Sequence, residues 1–322
     1  MHHFTAIDDV PDLARLLQRA DEIKAHPLAH TDLGRHKTLG LIFFNPSLRT
    51  RLSSQRAAQN LGMDTIVMNV GQEGWKLELA EGAVMNGDTA EHIKDAAAVM
   101  GQYCNIIGVR TFAGLKDREA DYAEEVLSAF VRYAGVPIVS LESATRHPLQ
   151  SLADLITIET YKPVQRPRVV LTWAPHPRAL PQAVANSFVE WMRRADVDLV
   201  VTHPRGYELA PQFIGDTPVV YDPFEAYEGA DFIYAKNWSA YEDYGQIRSQ
   251  DPRWMVDVQK MERTNQARFM HCLPVRRNVI VEDAVIDSPR AVVLAQAANR
   301  VVSAQTVLYE MLRAMQGQKS LN

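Results

Sequence analysis

The segment FFNPSLRTRLS (43–53) places hydroxyl and guanidinium groups directly after an apolar stretch. The hydroxyls of Ser47 and Thr50 and the guanidinium of Arg49 can converge on one phosphate if this loop opens a helix, because the helix N-terminal amides add further donors. Arg51 would then support the site or pair with a carboxylate. An exposed helix cap with solvated arginines is the alternative interpretation, since short motifs produce false positives.

Two further motifs follow apolar stretches. HPLQ (147–150) offers an imidazole and a carboxamide that can hydrogen-bond a polarised carbonyl, and a cap at a helix start is its alternative. HCLP (271–274) sets a thiol beside a histidine, a combination used in nucleophilic catalysis, although a buried cysteine is more usual. The conjunction of the three motifs is more specific than any one of them.

Short apolar runs alternate with amphipathic stretches, and this pattern predicts an α/β fold with mostly parallel sheets. The predicted strands are LGLIFF (39–44), DTIVMNV (64–70), CNIIGVR (104–110), VPIVSLE (136–142), RVVLTWA (168–174), VDLVVTH (197–203), DFIYAK (231–236), ARFMHCL (267–273) and AVVLAQ (291–296). Ligands of doubly wound sheets bind beyond the carboxyl ends of the strands. The motifs that follow the runs are therefore expected to lie at binding sites.

Helices are predicted between these runs. The main predicted helices are SSQRAAQNLG (53–62), DTAEHIKDAAAVMGQY (88–103), EADYAEEVLSAFVRYAG (119–135) and LQSLADLITIETYK (149–162). The segment YKPVQRPR (161–168), with two prolines in a short polar run, is the clearest predicted break between domains or layers. A length of 322 residues fits two domains.

Composition excludes several classes of function. The formal net charge of -5 provides no overall basic field for nucleic acid, so anion binding must come from local arginine clusters. Only Cys104 and Cys272 are present, without the spacing of a zinc site, so neither a disulfide framework nor a metal site is expected. No window approaches the roughly 18 uninterrupted apolar residues of a membrane-spanning helix. A cytoplasmic location and no contact with a membrane are expected.

The motifs SxRTR, HPxQ and HCLP, in this order and each after a predicted strand, resemble the carbamoyltransferase (transcarbamylase) superfamily along essentially the whole chain. Ordinary ornithine carbamoyltransferases carry an SMG-containing loop for the free amino acid, and no SMG occurs here. The chain is instead similar to the branch that carbamoylates N-acylated ornithine. The segments that carry this similarity are FFNPSLRTR, GWKLE, MNGDTAEHI, TWAPHPRALPQAVANSF, YAKNW and HCLPVRRN.

The resemblance implies two doubly wound parallel-sheet domains joined by interdomain helices. A carbamoyl-phosphate-binding domain would span 1–145, with the C-terminal helix 302–322 packing back on it, and an acylornithine-binding domain would span 146–301. Prolines 175, 177 and 181 would stiffen a threaded, knotted loop in the second domain, a feature that is almost absent from proteins. The family further implies a homotrimer that needs no cofactor and no metal.

Roles for individual residues follow from the resemblance. Carbamoyl phosphate would be bound by Ser47, Leu48, Arg49, Thr50, Trp75, Arg110, His147, Gln150, Leu273 and Arg300. Acylornithine would be bound by Glu142, His176, Lys236, Cys272 and Arg276. The catalytic group would comprise Arg110, His147, Gln150 and Cys272, with Trp75 reaching into a neighbouring subunit.

The acyl group is expected to be succinyl. The resemblance places the discriminating position at Ala90, where acetyl-type enzymes carry a glutamate, and a glutamate would repel the free carboxylate of a succinyl tail. Ile280 stands where the acetyl-type pattern has a lysine. The alternative is that Ala90 is only a helix former in an exposed first turn. The expected reaction is carbamoyl transfer to N-succinyl-L-ornithine in arginine biosynthesis. N-acetylornithine as the acceptor, and a catalytically silent carbamoyl-phosphate-binding subunit, are the alternatives.

Overall fold

The computed structural model describes residues 1–70, 72 and 74–319, which fold into two compact units. Unit 1 comprises Met1–Ala113, Glu119–Leu149 and the described residues from Arg300 onward. Unit 2 comprises Gly114–Arg118 and Gln150–Asn299. No helix among the described residues is long and apolar enough to cross a membrane.

The secondary structure alternates between strands and helices along the chain. The strands are β1 Thr38–Phe43, β2 Asp64–Asn69, β3 Leu77–Glu78, β4 Glu91–His92, β5 Ile106–Arg110, β6 Ile138–Glu142, β7 Arg168–Trp173, β8 Asp198–Thr202, β9 Val219–Val220, β10 Phe232–Lys236 and β11 Arg268–Met270. The helices are α1 Leu13–Ala25, α2 Leu48–Asn60, α3 Ile93–Tyr103, α4 Arg118–Ala123, α5 Glu125–Tyr133, α6 Pro148–Tyr161, α7 Ala183–Met192, α8 Pro211–Ile214, α9 Pro223–Tyr227, α10 Val258–Met261, α11 Asp283–Ile286 and α12 Val293–Lys319. Short 3₁₀ turns occur at Ile7–Asp9 and Pro252–Trp254.

Unit 1 is built on a four-stranded parallel sheet in the order β2-β1-β5-β6. The chain goes from β1 outward to β2 and then returns to the other side of β1 with β5, so the order reverses between β1 and β5. The loops after these two strands are joined by hydrogen bonds, because Phe44 N donates to Arg110 O at 2.9 Å and Phe112 N donates to Asn45 Oδ1 at 2.7 Å. Such a reversal point is the usual ligand crevice of an open α/β sheet.

Unit 2 is built on a five-stranded parallel sheet in the order β11-β10-β7-β8-β9. Its order reverses between β7 and β10. There, Ala174 N donates to Lys236 O at 3.1 Å and Asn237 Nδ2 donates to Ala174 O at 2.7 Å. Each unit therefore has its own reversal point, with a predicted site motif in the loops beside it.

The burial of the central strands explains why they could be predicted from the sequence. All five residues of β5 and of β6 are buried, and so are the last five of β1 and of β7. A parallel strand covered on both faces reads as a continuous apolar run. The predicted α/β fold with two parallel-sheet domains is confirmed, and α6 and α12 both continue from one unit into the other. The threaded loop stays a prediction.

Four local predictions were wrong. AVVLAQ (291–296) is not a strand, because α12 begins at Val293. The helix predicted from residue 88 begins at Ile93, after the short strand β4 and with His92 as its N-cap. The single helix predicted over 119–135 is divided at Glu124. The segment YKPVQRPR lies inside unit 2 and joins α6 to β7.

Candidate active site

The N-terminus of α2 has the features of an anion site. Ser47 is the N-cap in an extended conformation with φ −153°, and its side chain makes no capping hydrogen bond. The first turn contains no acidic residue but does contain Arg49 and Arg51. Positive side chains at the positive end of a helix dipole are unfavourable unless an anion is bound there. Ser47 is thus the N-cap residue, as in the alternative interpretation, but its hydroxyl makes no capping hydrogen bond to the helix.

Thr50 lies behind this turn and is tied to α12. Its side chain is buried, and Oγ1 accepts a hydrogen bond of 2.8 Å from Nη2 of the buried Arg300. The link spans 250 residues of sequence. It places the Arg300 guanidinium beside the SLRTR turn, in addition to Arg49, whereas Arg51 is exposed.

Arg110, Glu142 and His147 form a buried charged cluster in unit 1. The Arg110 guanidinium pairs with Glu142 Oε2, and His147 Nε2 lies 3.5 Å from the same oxygen. A shift in the β5/β6 register creates the pair, because Val109 lies opposite Ser140 whereas Arg110 lies opposite Glu142. β-bulges of this kind commonly re-aim side chains beside active sites. Glu142 was predicted to contact the acceptor, and in this structure it is the common partner of two predicted carbamoyl contacts.

Trp75 and Ala90 lie just before the two strands of a separate parallel sheet, Trp75 before β3 and Ala90 before β4. Ala90 N donates to Lys76 O at 3.0 Å, and the Trp75 indole donates to Glu91 Oε2 at 2.9 Å. Trp75 is 60% exposed, and Ala90 is exposed in a stretch that precedes β4. Ala90 is therefore not a helix residue, which removes the alternative that it serves as a helix former.

In unit 2 the buried carboxylate of Asp154 fixes the orientation of the Gln150 side chain. Asp154 lies one turn further along α6, and its Oδ1 accepts hydrogen bonds of 2.7 Å from Gln150 Nε2 and from Gln296 Nε2. Because a carboxylate only accepts hydrogen bonds, it turns the amide nitrogen of Gln150 inward. The Gln150 carbonyl oxygen is then directed away from Asp154.

The same network supports the HCLP loop. Gln296 Oε1 accepts from His271 N at 2.9 Å, and His271 Nδ1 accepts from Leu273 N at 2.8 Å. Leu273 has a left-handed backbone with φ 53°, an uncommon conformation for a residue other than glycine. Gln150 and Leu273, two residues predicted to act on the carbamoyl group, are thus joined through one chain of hydrogen bonds.

Cys272 faces the Tyr234 hydroxyl. Burial raises the pKa of Tyr234 well above its ordinary value, and Asp154 and Cys272 act in the same direction. Tyr234 therefore stays protonated as a neutral phenol. Cys272 is half-buried. Because Tyr234 is a neutral phenol, no phenolate charge lies beside the Cys272 sulfur.

His176 lies within a group of cations at the unit 2 reversal point. Arg276 Nε donates to His176 Nε2 at 3.1 Å, and His176 Nδ1 lies 2.8 Å from Arg178 O. Burial lowers the pKa of His176, and the charges of Arg276, Lys236 and Arg178 lower it further. A neutral imidazole surrounded by three cations forms a surface suited to carboxylates.

Sequence reasoning missed several residues of these clusters. Asp154 was detectable, because it lies four residues after Gln150 on one helix face. Arg178 follows His176 in the same loop, whereas Gln296 reaches Asp154 across 142 residues and leaves no local signal. Among the described residues, no group of three or more His, Cys, Asp and Glu side chains could hold a metal ion.

Two family models match this chain. Residues 2–160 match the carbamoyl-phosphate-binding domain of aspartate/ornithine carbamoyltransferase, and residues 181–311 match its aspartate/ornithine-binding domain. The chain therefore belongs to the aspartate/ornithine carbamoyltransferase family, and its two parallel-sheet units agree with these two domains. It is a carbamoyltransferase of the branch that acts on N-acylated ornithine.

Named relatives define the branch more narrowly. The chain is 57% identical to N-succinylornithine carbamoyltransferase of Bacteroides thetaiotaomicron, over 98% of this chain and 100% of the relative. It is 38% identical to N-acetylornithine carbamoyltransferase of Xanthomonas axonopodis, over 90% of each chain. The identity is therefore substantially higher to the succinyl-type relative.

Solved structures agree in fold. A glutamate-to-alanine mutant of N-acetyl-L-ornithine transcarbamylase, complexed with carbamyl phosphate and N-succinyl-L-norvaline, has a TM-score of 0.91 and 36% identity. The similarity covers 97% of this chain and 100% of that one. Acetylornithine transcarbamylase complexed with acetylcitrulline also gives a TM-score of 0.91.

Proposed function

We propose that this protein transfers the carbamoyl group of carbamoyl phosphate to the side-chain amine of N-succinyl-L-ornithine. The products are N-succinyl-L-citrulline and phosphate. The observation that carries the proposal is the 57% identity over nearly the whole chain to an enzyme named for this substrate, against 38% for an enzyme named for the acetyl substrate. We propose that unit 1 binds the donor and that unit 2 binds the acceptor.

The donor half would act on the leaving phosphate. The N-terminus of α2 would bind the phosphoryl oxygens with the residues Ser47, Leu48, Arg49 and Thr50. Arg300, which donates to Thr50, would add a positive charge nearby. Negative charge accumulates on the phosphate as the C–O bond breaks. These donors therefore stabilise the transition state more than the ground state.

Arg110, His147 and Gln150 would act on the carbamoyl group. Arg110 and His147 are suited to polarise its carbonyl oxygen, on which charge develops during attack. Gln150 would accept from the carbamoyl nitrogen, because Asp154 holds its amide nitrogen inward. Trp75 would cover the donor from a neighbouring subunit, a role that rests on the family resemblance.

The acceptor half would hold a dicarboxylate. N-succinyl-L-ornithine carries an α-carboxylate and a succinyl carboxylate, and the cations Lys236, Arg276 and Arg178 around the neutral His176 match this charge. Cys272 and the Leu273 carbonyl would accept hydrogen bonds from the attacking amine and select its neutral form. Glu142 is retained as an acceptor contact in this proposal.

The chemical step needs no covalent enzyme intermediate. The amine nitrogen attacks the carbamoyl carbon, a C–N bond forms, the C–O bond to phosphate breaks, and the amine proton leaves with the phosphate. Holding both substrates in line supplies most of the rate gain through proximity. The residues named above supply the electrostatic part.

Two positions support succinyl over acetyl. Ala90 is small, neutral and exposed, so it leaves room for a carboxylate-ended tail. A relative in which a glutamate is replaced by alanine is described in complex with N-succinyl-L-norvaline. Ile280 is buried in an apolar cluster with Val256 and Val281, where a lysine would bury an ammonium group at high cost.

Steady-state kinetics test the proposal. Carbamoyl phosphate is supplied with N-succinyl-, N-acetyl- or free L-ornithine, and the ureido product is measured. The proposal expects kcat/KM to be highest for the succinyl acceptor. Preference for the acetyl acceptor would refute the acyl assignment, and absence of turnover with all three would indicate a silent binding subunit.

We further propose that the enzyme is a cytoplasmic homotrimer in arginine biosynthesis and that its proline-rich loop is threaded.

A further inference from the structure

Glu124 interrupts what the sequence predicts to be one helix. α4 ends at Ala123 and α5 begins at Glu125, and Glu124 between them has a left-handed backbone with φ 49° and ψ 42°. Glutamate is a strong helix former and is seldom found in this region. A conformation that the local sequence opposes must be imposed by contacts elsewhere.

Those contacts are made by the carboxylate. Glu124 Oε1 accepts hydrogen bonds from Ser143 Oγ at 2.6 Å, from Thr145 N at 2.8 Å and from the Thr145 hydroxyl. Ser143 N donates to Arg146 O at 2.7 Å, and Arg146 N donates to Ser143 Oγ at 3.0 Å. One carboxylate oxygen therefore binds Ser143 and Thr145, and Ser143 in turn closes the turn 143–146 onto Arg146.

This turn connects two residues of the charged cluster. Glu142 ends β6 immediately before the turn, and His147 follows it immediately before α6. Ser143 and Thr145 are both buried, so the turn has little room to move independently. The 3.5 Å approach of His147 Nε2 to Glu142 Oε2 thus depends on the conformation of these four residues.

We propose that Glu124 is a positioning residue, which holds the turn 143–146 and thereby sets the geometry of Glu142 and His147. The left-handed break at Glu124 takes its side chain out of the helical path and toward the turn. The kinetic part of the test rests on the proposed function, and the spectroscopic part does not.

The kinetic test compares Glu124→Gly with Glu124→Gln. Glycine accepts the left-handed backbone but removes the carboxylate, whereas glutamine keeps an oxygen that can accept the same bonds. We expect kcat to fall about 10- to 100-fold in Glu124→Gly, with a smaller change in KM for carbamoyl phosphate, and to be mostly retained in Glu124→Gln. Glu125→Gln, at the neighbouring exposed acid, controls for the loss of one negative charge. His36→Gly controls for the effect of placing glycine at a left-handed position, since His36 has φ 60°.

A double-mutant cycle separates positioning from general destabilisation. If Glu124 acts through the Glu142–His147 contact, Glu124→Gly should cause a clearly smaller loss of kcat in a His147→Ala background than in the wild type. An equal loss in both backgrounds would overturn the proposal. Thermal unfolding of every variant is measured alongside, and Ser143→Ala, which removes a donor to Glu124 Oε1, replaces Glu124→Gly if that variant does not fold.

Histidine-selective ¹⁵N NMR supplies a readout without turnover. The ring resonances of His147, assigned by their absence in His147→Ala, should shift in Glu124→Gly while the other histidines stay unchanged. Unshifted His147 resonances in a folded Glu124→Gly would refute the proposal. If the wild type turns over none of the three acceptors, the proposed function fails, and the NMR result still decides the role of Glu124.

Discussion

At the scale of single residues, Glu142 is the most informative side chain. It is buried, it pairs with Arg110, and it approaches His147. A buried ion pair contributes little net stability compared with apolar packing, because both charges must be desolvated. Through Arg110, which ends β5, the pair lies next to the β1/β5 reversal point, and such a costly pair beside a crevice marks a candidate functional site.

Removing the Glu142 carboxylate should be costly. In Glu142→Ala the Arg110 guanidinium stays buried without its carboxylate, so the free energy of unfolding should fall by about 3–5 kcal/mol. Urea unfolding measures this loss, and Glu142→Gln, which keeps the shape and an accepting oxygen, should lose less. A loss below about 1 kcal/mol in Glu142→Ala would contradict the described pairing.

His176 should make stability depend on pH. Burial and the neighbouring cations lower its pKa in the folded state, so the folded protein binds fewer protons than the unfolded chain below the ordinary histidine pKa of about 6.5. The contribution of His176 to the free energy of unfolding is therefore complete above about pH 6.5 and is lost as the pH falls below it. His3 and His203 have lowered pKa values too, so the test is a comparison. Between pH 7.5 and 5.5, His176→Gln should lose less unfolding free energy than the wild type, and an equal loss would refute the assignment.

At the scale of elements, the longer strands and their following loops could be predicted, because buried parallel strands are continuous apolar runs, whereas the two-residue strands β3, β4 and β9 could not. The helix break at Glu124 could not, since its partners Ser143 and Thr145 lie 19 and 21 residues away. AVVLAQ was misread because a short apolar run looks alike in a buried strand and in a buried helix start. Arg49 and Arg110 could be recognised from their positions at the ends of apolar runs, whereas the contacts of Asp154 with Gln150 and Gln296 needed the tertiary structure.

The contact between α6 and α12 offers a matched pair of variants. Asp154→Leu removes the acceptor of Gln150 and Gln296, and Thr157→Val removes the acceptor of Asn299 one turn further along. Both variants should lower the free energy of unfolding, because each buried amide donor that is left without an acceptor costs about 1–3 kcal/mol. Only Asp154→Leu should lower kcat, by about tenfold or more, because it frees Gln150 to rotate. Equal effects on kcat would show that Asp154 has no special link to Gln150.

At the scale of the whole molecule, the proposed trimer predicts buried apolar surface that this single chain leaves exposed. Unit 1 exposes several large apolar side chains, among them Leu48, Leu52, Ile66 and Val84. Light scattering should therefore give about three times the chain mass of 36.2 kDa. Leu52→Glu should shift the protein toward smaller species, whereas a monomeric wild type would refute the trimer.

The net charge of -5 also has a meaning at this scale. The protein is acidic overall, yet cations are concentrated at the reversal point of each sheet. Local placement of charge therefore attracts small anions without creating a general affinity for polyanions. This distribution fits one phosphorylated substrate and one dicarboxylate.

The most direct test of the central claim is the ratio of kcat/KM for N-succinyl-L-ornithine to that for N-acetyl-L-ornithine, in the wild type and in Ala90→Glu. We expect the new carboxylate to lie near the succinyl carboxylate and to reduce the ratio by about tenfold or more, since a like-charge contact costs more than 1.4 kcal/mol when desolvated. The account predicts a ratio well above one in the wild type that falls or inverts in the variant. A wild-type ratio below one, or a ratio that Ala90→Glu leaves unchanged, would contradict it.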